Sequence, residues 1–165
     1  MSKWQTKEQQ IELLRNLVAI PSVTGSQAEI EFPKYVQSQL STLPYFQKNT
    51  DQLRLCPTGD GREFVMALVK KENAKKTVIL VSHFDVVDVE DYGIWKESAF
   101  DVNEITRLFD KEKDTLSEEI QDELETSDWI FGRGTMDMKV GLALHMSMIE
   151  QATNGEFDGN LVLLT

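Results

Sequence analysis

Two short motifs contain the residues of this 165-residue sequence that are best suited to chemistry. The first is His83-Phe84-Asp85, which directly follows the apolar segment 77–82. Alternation along an extended chain places residues i and i+2 on one face, so His83 and Asp85 are expected to point the same way. A neutral imidazole is a favoured zinc ligand, and a carboxylate beside it can bind a metal or orient the imidazole. The alternative interpretation is a pair that only satisfies its own hydrogen bonds.

The second motif spans residues 131–139 and has the sequence FGRGTMDMK. Gly132 and Gly134 permit positive φ and close backbone approach, so this turn can place Asp137 at a crowded point. A phosphate-binding loop needs a different glycine spacing and a Gly-Lys-Ser/Thr ending, so a nucleotide-binding domain is disfavoured. Taken alone, the motif is also compatible with an ordinary strand-to-helix connection.

Helices are predicted on both sides of the motifs from capping signals and apolar spacing. Residues 6–9 have the form of a capping box and open a helix that must end before Pro21. Residues 26–29 have the same form and open a second helix. A third helix is predicted from residue 140 to about residue 151, directly after the second motif.

Short apolar segments predict the strands that carry these motifs. Residues 63–69, 77–82 and 160–165 are rich in apolar or β-branched side chains, and residues 129–131 are predicted to form a further short strand. The segment 77–82 is almost continuously apolar, which predicts burial on both faces. The fold class is therefore α/β, with helices packed on a mostly buried, mixed or parallel sheet. Ligands in such sheets bind beyond the carboxyl ends of the strands, which is where His83 lies.

The charge of the chain excludes some classes of function. The formal net charge is −11, which disfavours nucleic-acid binding and a basic membrane-surface role. Residues 101–128 contain eleven acidic and three basic residues, a net of −8. This tract predicts one or two solvated helices at 103–127.

Size and cysteine content predict a single cytoplasmic unit. At 18.9 kDa the chain has the size of one domain. Cys56 is the only cysteine, so no internal disulfide can form. Neither a signal-peptide core nor a membrane-length apolar run occurs in the sequence, so no membrane association is expected.

Together the two motifs resemble the M20 family of zinc aminopeptidases, deacylases and carboxypeptidases. The resemblance is carried by His83-x-Asp85 after a strand, then Trp95, then Gly132-Arg133-Gly134-x-x-Asp137-Met138-Lys139 before a helix. It extends from Leu14, where LLRNLVAIPSVTGSQAE is similar to the family's usual opening, to Thr165. The acidic insertion and the segment DWIFGRGTMDMKVGLAL are most similar to the arginine-utilisation branch of the family.

The resemblance implies a role for each site residue. His83 would ligate zinc, and Asp137 would bridge two zinc ions, for which cobalt or manganese would be substitutes. Asp85 is the candidate catalytic residue and would hydrogen-bond the His83 imidazole, fixing its tautomer. The peptide bond between Asp137 and Met138 is expected to be cis. The two metals would activate water for attack on an amide carbon, with a glutamate as general base.

The expected function is hydrolysis of a small peptide or acyl-amino acid, in arginine or amino-acid catabolism. The chain would be the amino-terminal part of one catalytic domain, with an acidic insertion at about 101–128 and without the family's lid or dimerisation domain. In the family the glutamate base and the remaining ligands follow the strand that matches 160–165. The 165-residue chain alone is therefore expected to be inactive. The oligomeric state is left open, with a homodimer of the full-length form as one alternative.

Other charged residues are given structural roles. His145 is predicted to be a partly buried helix residue rather than a metal ligand. Arg133 and Lys139 are predicted to form structural salt bridges, with contact to a substrate carboxylate as the alternative. The rival to a hydrolase is a non-catalytic binding or regulatory protein that keeps the fold with an incomplete metal site.

Overall fold

The computed structural model describes residues 2–125 and 129–165, where six α-helices and four strands form a mixed α/β fold. The helices are α1 (Lys7–Val18), α2 (Gln27–Ser41), α3 (Pro44–Lys48), α4 (Val102–Lys111), α5 (Glu118–Leu124) and α6 (Val140–Thr153). The strands are β1 (Leu53–Pro57), β2 (Glu63–Val69), β3 (Thr77–Val81) and β4 (Asn160–Leu164). The predicted α/β class is confirmed, and the sheet is mixed.

The four strands form one sheet in the order β1-β2-β4-β3. β1 and β2 form an antiparallel pair, and β2 is also antiparallel to β4. β3 runs parallel to β4, with Val81 opposite Leu164. The last strand in the sequence therefore lies inside the sheet, and the carboxyl ends of β3 and β4 lie at the same edge.

Capping and amphipathic packing explain the main helices. The Thr6 side chain accepts from the Gln9 backbone amide, and the Gln9 side chain accepts from the Thr6 backbone amide. These two bonds confirm the predicted capping box of α1. Ser26 caps α2, but the Glu29 carboxylate accepts from the Gly25 amide instead of completing a second box. Apolar residues of α1, α2 and α6 then form one core with β2 and β4: Leu14, Leu17, Phe32, Val36, Leu142, Met146, Val65, Ala67, Leu161 and Leu163.

β3 is more exposed than its sequence predicted. Val78, Ile79 and Val81 are 45%, 57% and 66% exposed, so the prediction of a strand buried on both faces is wrong. β3 is an edge strand, and α2 and α6 pack mainly against the other three strands. An apolar segment shows only that a strand can be buried. The strands and helices that pack beside it determine whether it is buried.

The acidic insertion is helical, as predicted. Asp101 caps α4 by accepting from the amides of Asn103 and Glu104 at 3.1 and 3.0 Å. Val102 and Ile105 are the buried residues of this helix, which fixes its inner face on the domain. The end of the predicted helical tract, residues 126–127, lies outside the described residues.

Residues 129–131 do not form a strand, contrary to the prediction. The Phe131 ring stacks on Phe109 with ring centroids 4.4 Å apart, and the Trp95 ring meets Phe109 edge-on at 5.1 Å. The Phe131 amide donates to the Thr106 hydroxyl at 3.3 Å instead of to a neighbouring strand. Ring stacking therefore joins the insertion to the second motif, and a three-residue segment gains no ladder partner.

Candidate metal centre

His83 stands at the carboxyl edge of the sheet. β3 ends at Val81, and the Ser82 amide continues the ladder by donating to the Leu164 carbonyl at 3.1 Å. The chain then leaves the sheet, so the His83 side chain is presented beyond the ends of β3 and β4. This is the edge at which ligands bind in open α/β sheets.

Asp137 is brought to the same edge by the glycine turn before α6. Gly134 has φ +76°, as the motif predicted, and the Lys139 amide closes the turn on the Gly134 carbonyl at 2.9 Å. The peptide bond between Asp137 and Met138 is cis, which confirms the expectation from the resemblance. The Asp137 side chain is 88% exposed and points into the cavity that also contains His83.

The imidazole of His83 lies between two aspartates. Its Nε2 lies 2.9 Å from Asp137 Oδ1. Its Nδ1 lies 3.2 Å from the Asp85 carbonyl oxygen and 3.3 Å from Asp85 Oδ1. All three residues predicted for the site therefore meet, although 54 positions separate His83 from Asp137 in the sequence.

The surroundings of His83 favour its charged form. Partial burial lowers the pKa of His83, but the hydrogen bond with Asp137, the Asp85 carbonyl and the two carboxylate charges outweigh it. The pKa is therefore raised above 6.5. Each ring nitrogen faces an acceptor, so the metal-free imidazole is stabilised as imidazolium. A metal ion bound at Nε2 would have to displace that proton.

Thr24 belongs to the same cluster, and the sequence did not indicate it. Its hydroxyl lies 3.0 Å from Asp85 Oδ2, on the side of the carboxylate away from His83. Thr24 precedes Gly25 in an ordinary loop, and only the contact between distant segments gives it a role. The sole signal in the sequence is its place in the opening segment of the M20-like resemblance.

The site opens into a cavity of about 340 Å³. Val86, Val87 and Met136 give it apolar walls, and Arg133 adds a cation beside His83 and Asp137. The Arg133 guanidinium is paired with Asp91 and lies over the Tyr92 ring, 5.0 Å from its centroid. The predicted structural salt bridge of Arg133 is confirmed, and hydrogen bonding from this guanidinium lowers the pKa of Asp91.

Lys139, at the end of the glycine turn, extends into the protein interior. Its side chain is fully buried, and its Nζ donates to the Ile20 carbonyl at 2.7 Å. The ammonium also lies over the rings of Phe32 and Phe100, at 5.0 and 6.0 Å from their centroids. The prediction of a salt bridge for Lys139 is wrong among the described residues. Its Nζ contacts a backbone carbonyl and two aromatic rings instead of a carboxylate. Burial lowers the pKa of Lys139 to about 7.

The donors present fit part of a zinc site. Two ligands of one tetrahedral zinc ion lie about 3.3 Å apart, so the 2.9 Å between His83 Nε2 and Asp137 Oδ1 needs to lengthen by only about 0.4 Å. Imidazole nitrogen and carboxylate oxygen are both common zinc donors. Within residues 2–125 and 129–165, no group of three or more His, Cys, Asp or Glu side chains is arranged to hold a metal ion. His145 does not join the site: it is a partly buried residue of α6, as predicted.

Replacing Gly134 with alanine is expected to lower the free energy of unfolding by about 2 kcal/mol. The added Cβ would lie 2.5 Å from Val86 Cγ1, so both a positive φ and a steric clash oppose it. Gly155→Ala is the matched control, since Gly155 has φ +87° with nothing within 4 Å, and it should cost about 1 kcal/mol. Urea unfolding of both variants measures the difference. Equal losses would show that Val86 does not restrict this turn.

Solved structures identify the class of the fold. The chain superposes on human carnosine dipeptidase 1 with a TM-score of 0.61 and 16% identity, covering 95% of this chain and 31% of that one. It superposes on the dipeptidase Dug1p of Saccharomyces cerevisiae with a TM-score of 0.59 and 18% identity, covering 96% and 31%. The chain therefore has the fold of an M20-like peptidase, over about a third of the length of these proteins.

Sequence comparisons find further relatives, one of which is a metallodipeptidase. The chain is 51% identical to the uncharacterized protein YqjN of Bacillus subtilis over 162 residues, which is 98% of this chain and 30% of that protein. It is 30% identical to the protein RocB of the same organism, over 82% of this chain and 24% of RocB. It is 26% identical to the Cys-Gly metallodipeptidase DUG1 of Candida albicans, over 88% and 28%. The chain thus spans less than a third of these relatives, and no protein-family model matches it.

None of the helices in the described ranges 2–125 and 129–165 is both long and apolar enough to cross a membrane.

Proposed function

We propose that this chain supplies part of the metal site of a dizinc hydrolase that cleaves peptide or acyl-amino-acid amide bonds. The observation that carries the proposal is the meeting of His83, Asp85 and Asp137 at the carboxyl edge of the sheet. The likeness to metallodipeptidases in sequence and in fold supports it. Substrate, metal and a homodimeric assembly are parts of the same proposal.

Three side chains would hold the metal, two as ligands and one by orienting a ligand. His83 Nε2 and Asp137 would be ligands, and the exposed Asp137 carboxylate has two oxygens with which to bridge a pair of ions. Asp85 would keep the proton on His83 Nδ1, leaving Nε2 as the donor. Bound zinc would polarise the scissile carbonyl and make a water molecule acidic enough to attack it at neutral pH.

The remaining groups of such a site would come from polypeptide that follows β4. Because β3 and β4 are parallel, a chain continuing past Thr165 would emerge at the edge where His83 stands. The general base and the other ligands belong at that point in the family that the sequence resembles. The chain would then be the amino-terminal part of one catalytic domain, with the acidic insertion at about 101–128. A role in arginine or amino-acid catabolism rests on the resemblance of the second motif and stays a prediction.

The test begins with the length of the natural polypeptide. The source gene should be read beyond codon 165, and the full product should be purified, loaded with zinc or cobalt and assayed on dipeptides and acyl-amino acids. We expect an acidic pair after residue 165, close to two metal ions per chain and amide hydrolysis that is lost with a chelator. A natural product that ends at Thr165, or a longer one that takes up neither metal nor cleaves amides, would contradict the proposal and favour the non-catalytic binding protein.

A further inference from the structure

One face of the sheet is left open by the described residues 2–125 and 129–165. The buried residues of β2 and β4 all point to the opposite face, where α1, α2 and α6 pack: Val65, Ala67, Val69, Leu161 and Leu163. The strand register places the alternate residues in two rows on the open face, Met66, Leu164 and Val81 in one and Leu68, Val162 and Ile79 in the other. None of these six residues is buried, and Ile79 and Val81 are more than half exposed. We call the two rows the outer face.

The sequences of the three strands are typical of strands that are covered on both sides. A strand with one face in water alternates apolar and polar residues, whereas β2, β3 and β4 are apolar at nearly every position: EFVMALV, TVILV and NLVLL. Neither row of the outer face contains a polar or charged side chain. A contiguous apolar surface of this kind marks an interaction site. The strand sequences therefore indicate a second covering layer on the outer face.

The order of the elements indicates where such a layer would come from. α6 lies on the helix-covered face and belongs to the connection between the parallel strands β3 and β4. Connections between parallel strands are right-handed in nearly all proteins. A connection of the same hand that leaves β4 and runs back past β3 must therefore cross the outer face. Within the described ranges β3 ends the sheet, so its outer edge is available to a further parallel strand.

Two observations favour later polypeptide over a second copy of the chain as the occupant of the outer face. The chain spans 30% of YqjN and 24% of RocB, so each of these relatives has room for such a layer outside the matched region. Two chains that each carry a net charge of −11 repel one another, which opposes a dimer joined face to face.

We propose that the outer face is the docking surface of an amphipathic helix from polypeptide that follows residue 165, and that this helix leads to a strand parallel to β3 at its free edge. The proposal rests on the proposed function only in requiring a natural polypeptide of the relatives' length. Apolar residues of the helix at i, i+3, i+4 and i+7 would pack across the two rows. Such a layer would bury Val81, where β3 ends, and so fix the end of the strand that presents His83.

The experiment is photo-cross-linking of the natural full-length product, grown with photo-leucine in place of leucine. This analogue has nearly the shape of leucine, and mass spectrometry assigns each cross-link to a residue. We expect Leu68 and Leu164 to cross-link to peptides beyond residue 165. In a mixture of ¹⁵N-labelled and unlabelled product, these cross-links should join peptides of the same chain. Cross-links from Leu68 and Leu164 to a second copy, or to no residue beyond 165, would overturn the proposal, as would a natural product that ends at Thr165.

A matched pair of cysteine variants of the same product supplies a second measurement. Ile79 lies on the outer face and Ile120 on the acidic insertion, and in the 165-residue chain they are 57% and 44% exposed. We expect a maleimide to label Ile79→Cys at least about 100-fold more slowly than Ile120→Cys, because the covering helix must first move away. Rates within about threefold of each other would overturn the proposal.

Neither measurement uses metal or substrate, so the two proposals can fail separately. A covered outer face in a product that cleaves no amide would refute only the proposed function. An accessible outer face in an active hydrolase would refute only the docking of the helix.

Discussion

Replacing His83 with alanine in the metal-loaded natural polypeptide is expected to lower kcat/KM for amide hydrolysis by at least about 1000-fold. In the proposed function His83 and Asp137 are the two metal donors of the described residues, and removing the imidazole takes away the nitrogen 2.9 Å from Asp137. Asp137→Ala should have an effect of the same size, because it removes the only other donor of the pair. Steady-state kinetics and the metal content of each purified variant measure both losses.

Asp85→Asn is expected to be milder, with a loss of about 10- to 100-fold in activity or metal affinity. Asp85 contacts His83 Nδ1, so under the proposed function its loss would disturb the orientation of a ligand without removing one. Asp158→Asn is the matched control, since this carboxylate pairs with Lys71 on the surface, and it should leave kcat/KM unchanged. A His83→Ala enzyme within threefold of the wild type, or an Asp85→Asn enzyme as damaged as His83→Ala, would contradict these roles.

The stability of the chain is expected to depend on pH through Lys139. Its amine is fully buried, and burial lowers its pKa from 10.5 to about 7. Between these values the unfolded chain binds a proton that the folded chain does not, so the free energy of unfolding rises with pH in this window. Below pH 7 the folded state must carry a buried ammonium ion, and that stability is lost.

Lys139→Met provides the comparison, because methionine is similar in length and does not titrate. Between pH 6 and pH 9.5 the free energy of unfolding of the wild type should rise, relative to that of this variant, by at most about 3 kcal/mol. The Ile20 carbonyl and the two ring faces favour the ammonium, which makes this value an upper bound. Urea unfolding of both proteins across the pH range measures the difference. A difference that stays constant with pH would show that Lys139 remains charged in the folded state.

Features determined by residues close together in the sequence were predictable. The capping box that opens α1 needs only Thr6 and Gln9, and the positive φ of Gly134 could be anticipated because glycine permits it. The strand β2 was predicted with its observed bounds, Glu63–Val69, because an apolar segment between polar turns defines it locally. The three candidate site residues could be singled out because each stands in a short motif next to a predicted element.

Features that depend on distant neighbours were not predictable. The exposure of Val81 follows from the edge position of β3, which is fixed by pairing with residues about 80 positions away. Thr24 gains its role only where the segment 22–24 meets Asp85. The buried amine of Lys139 lacks a carboxylate partner among the described residues, and its acceptor is a backbone carbonyl that no side-chain pattern marks.

The order of strands in the sheet has a consequence for the synthesis of the protein. β4 lies between β2 and β3, so these two earlier strands are not joined in one sheet until β4 has left the ribosome. Only the β1–β2 hairpin can form early, because its residues are close in sequence. β3 has no strand partner while the acidic insertion is being synthesised. The net charge of the insertion disfavours collapse of the nascent chain. Pairing of β3 with β4 is thus a late event in folding relative to formation of the β1–β2 hairpin.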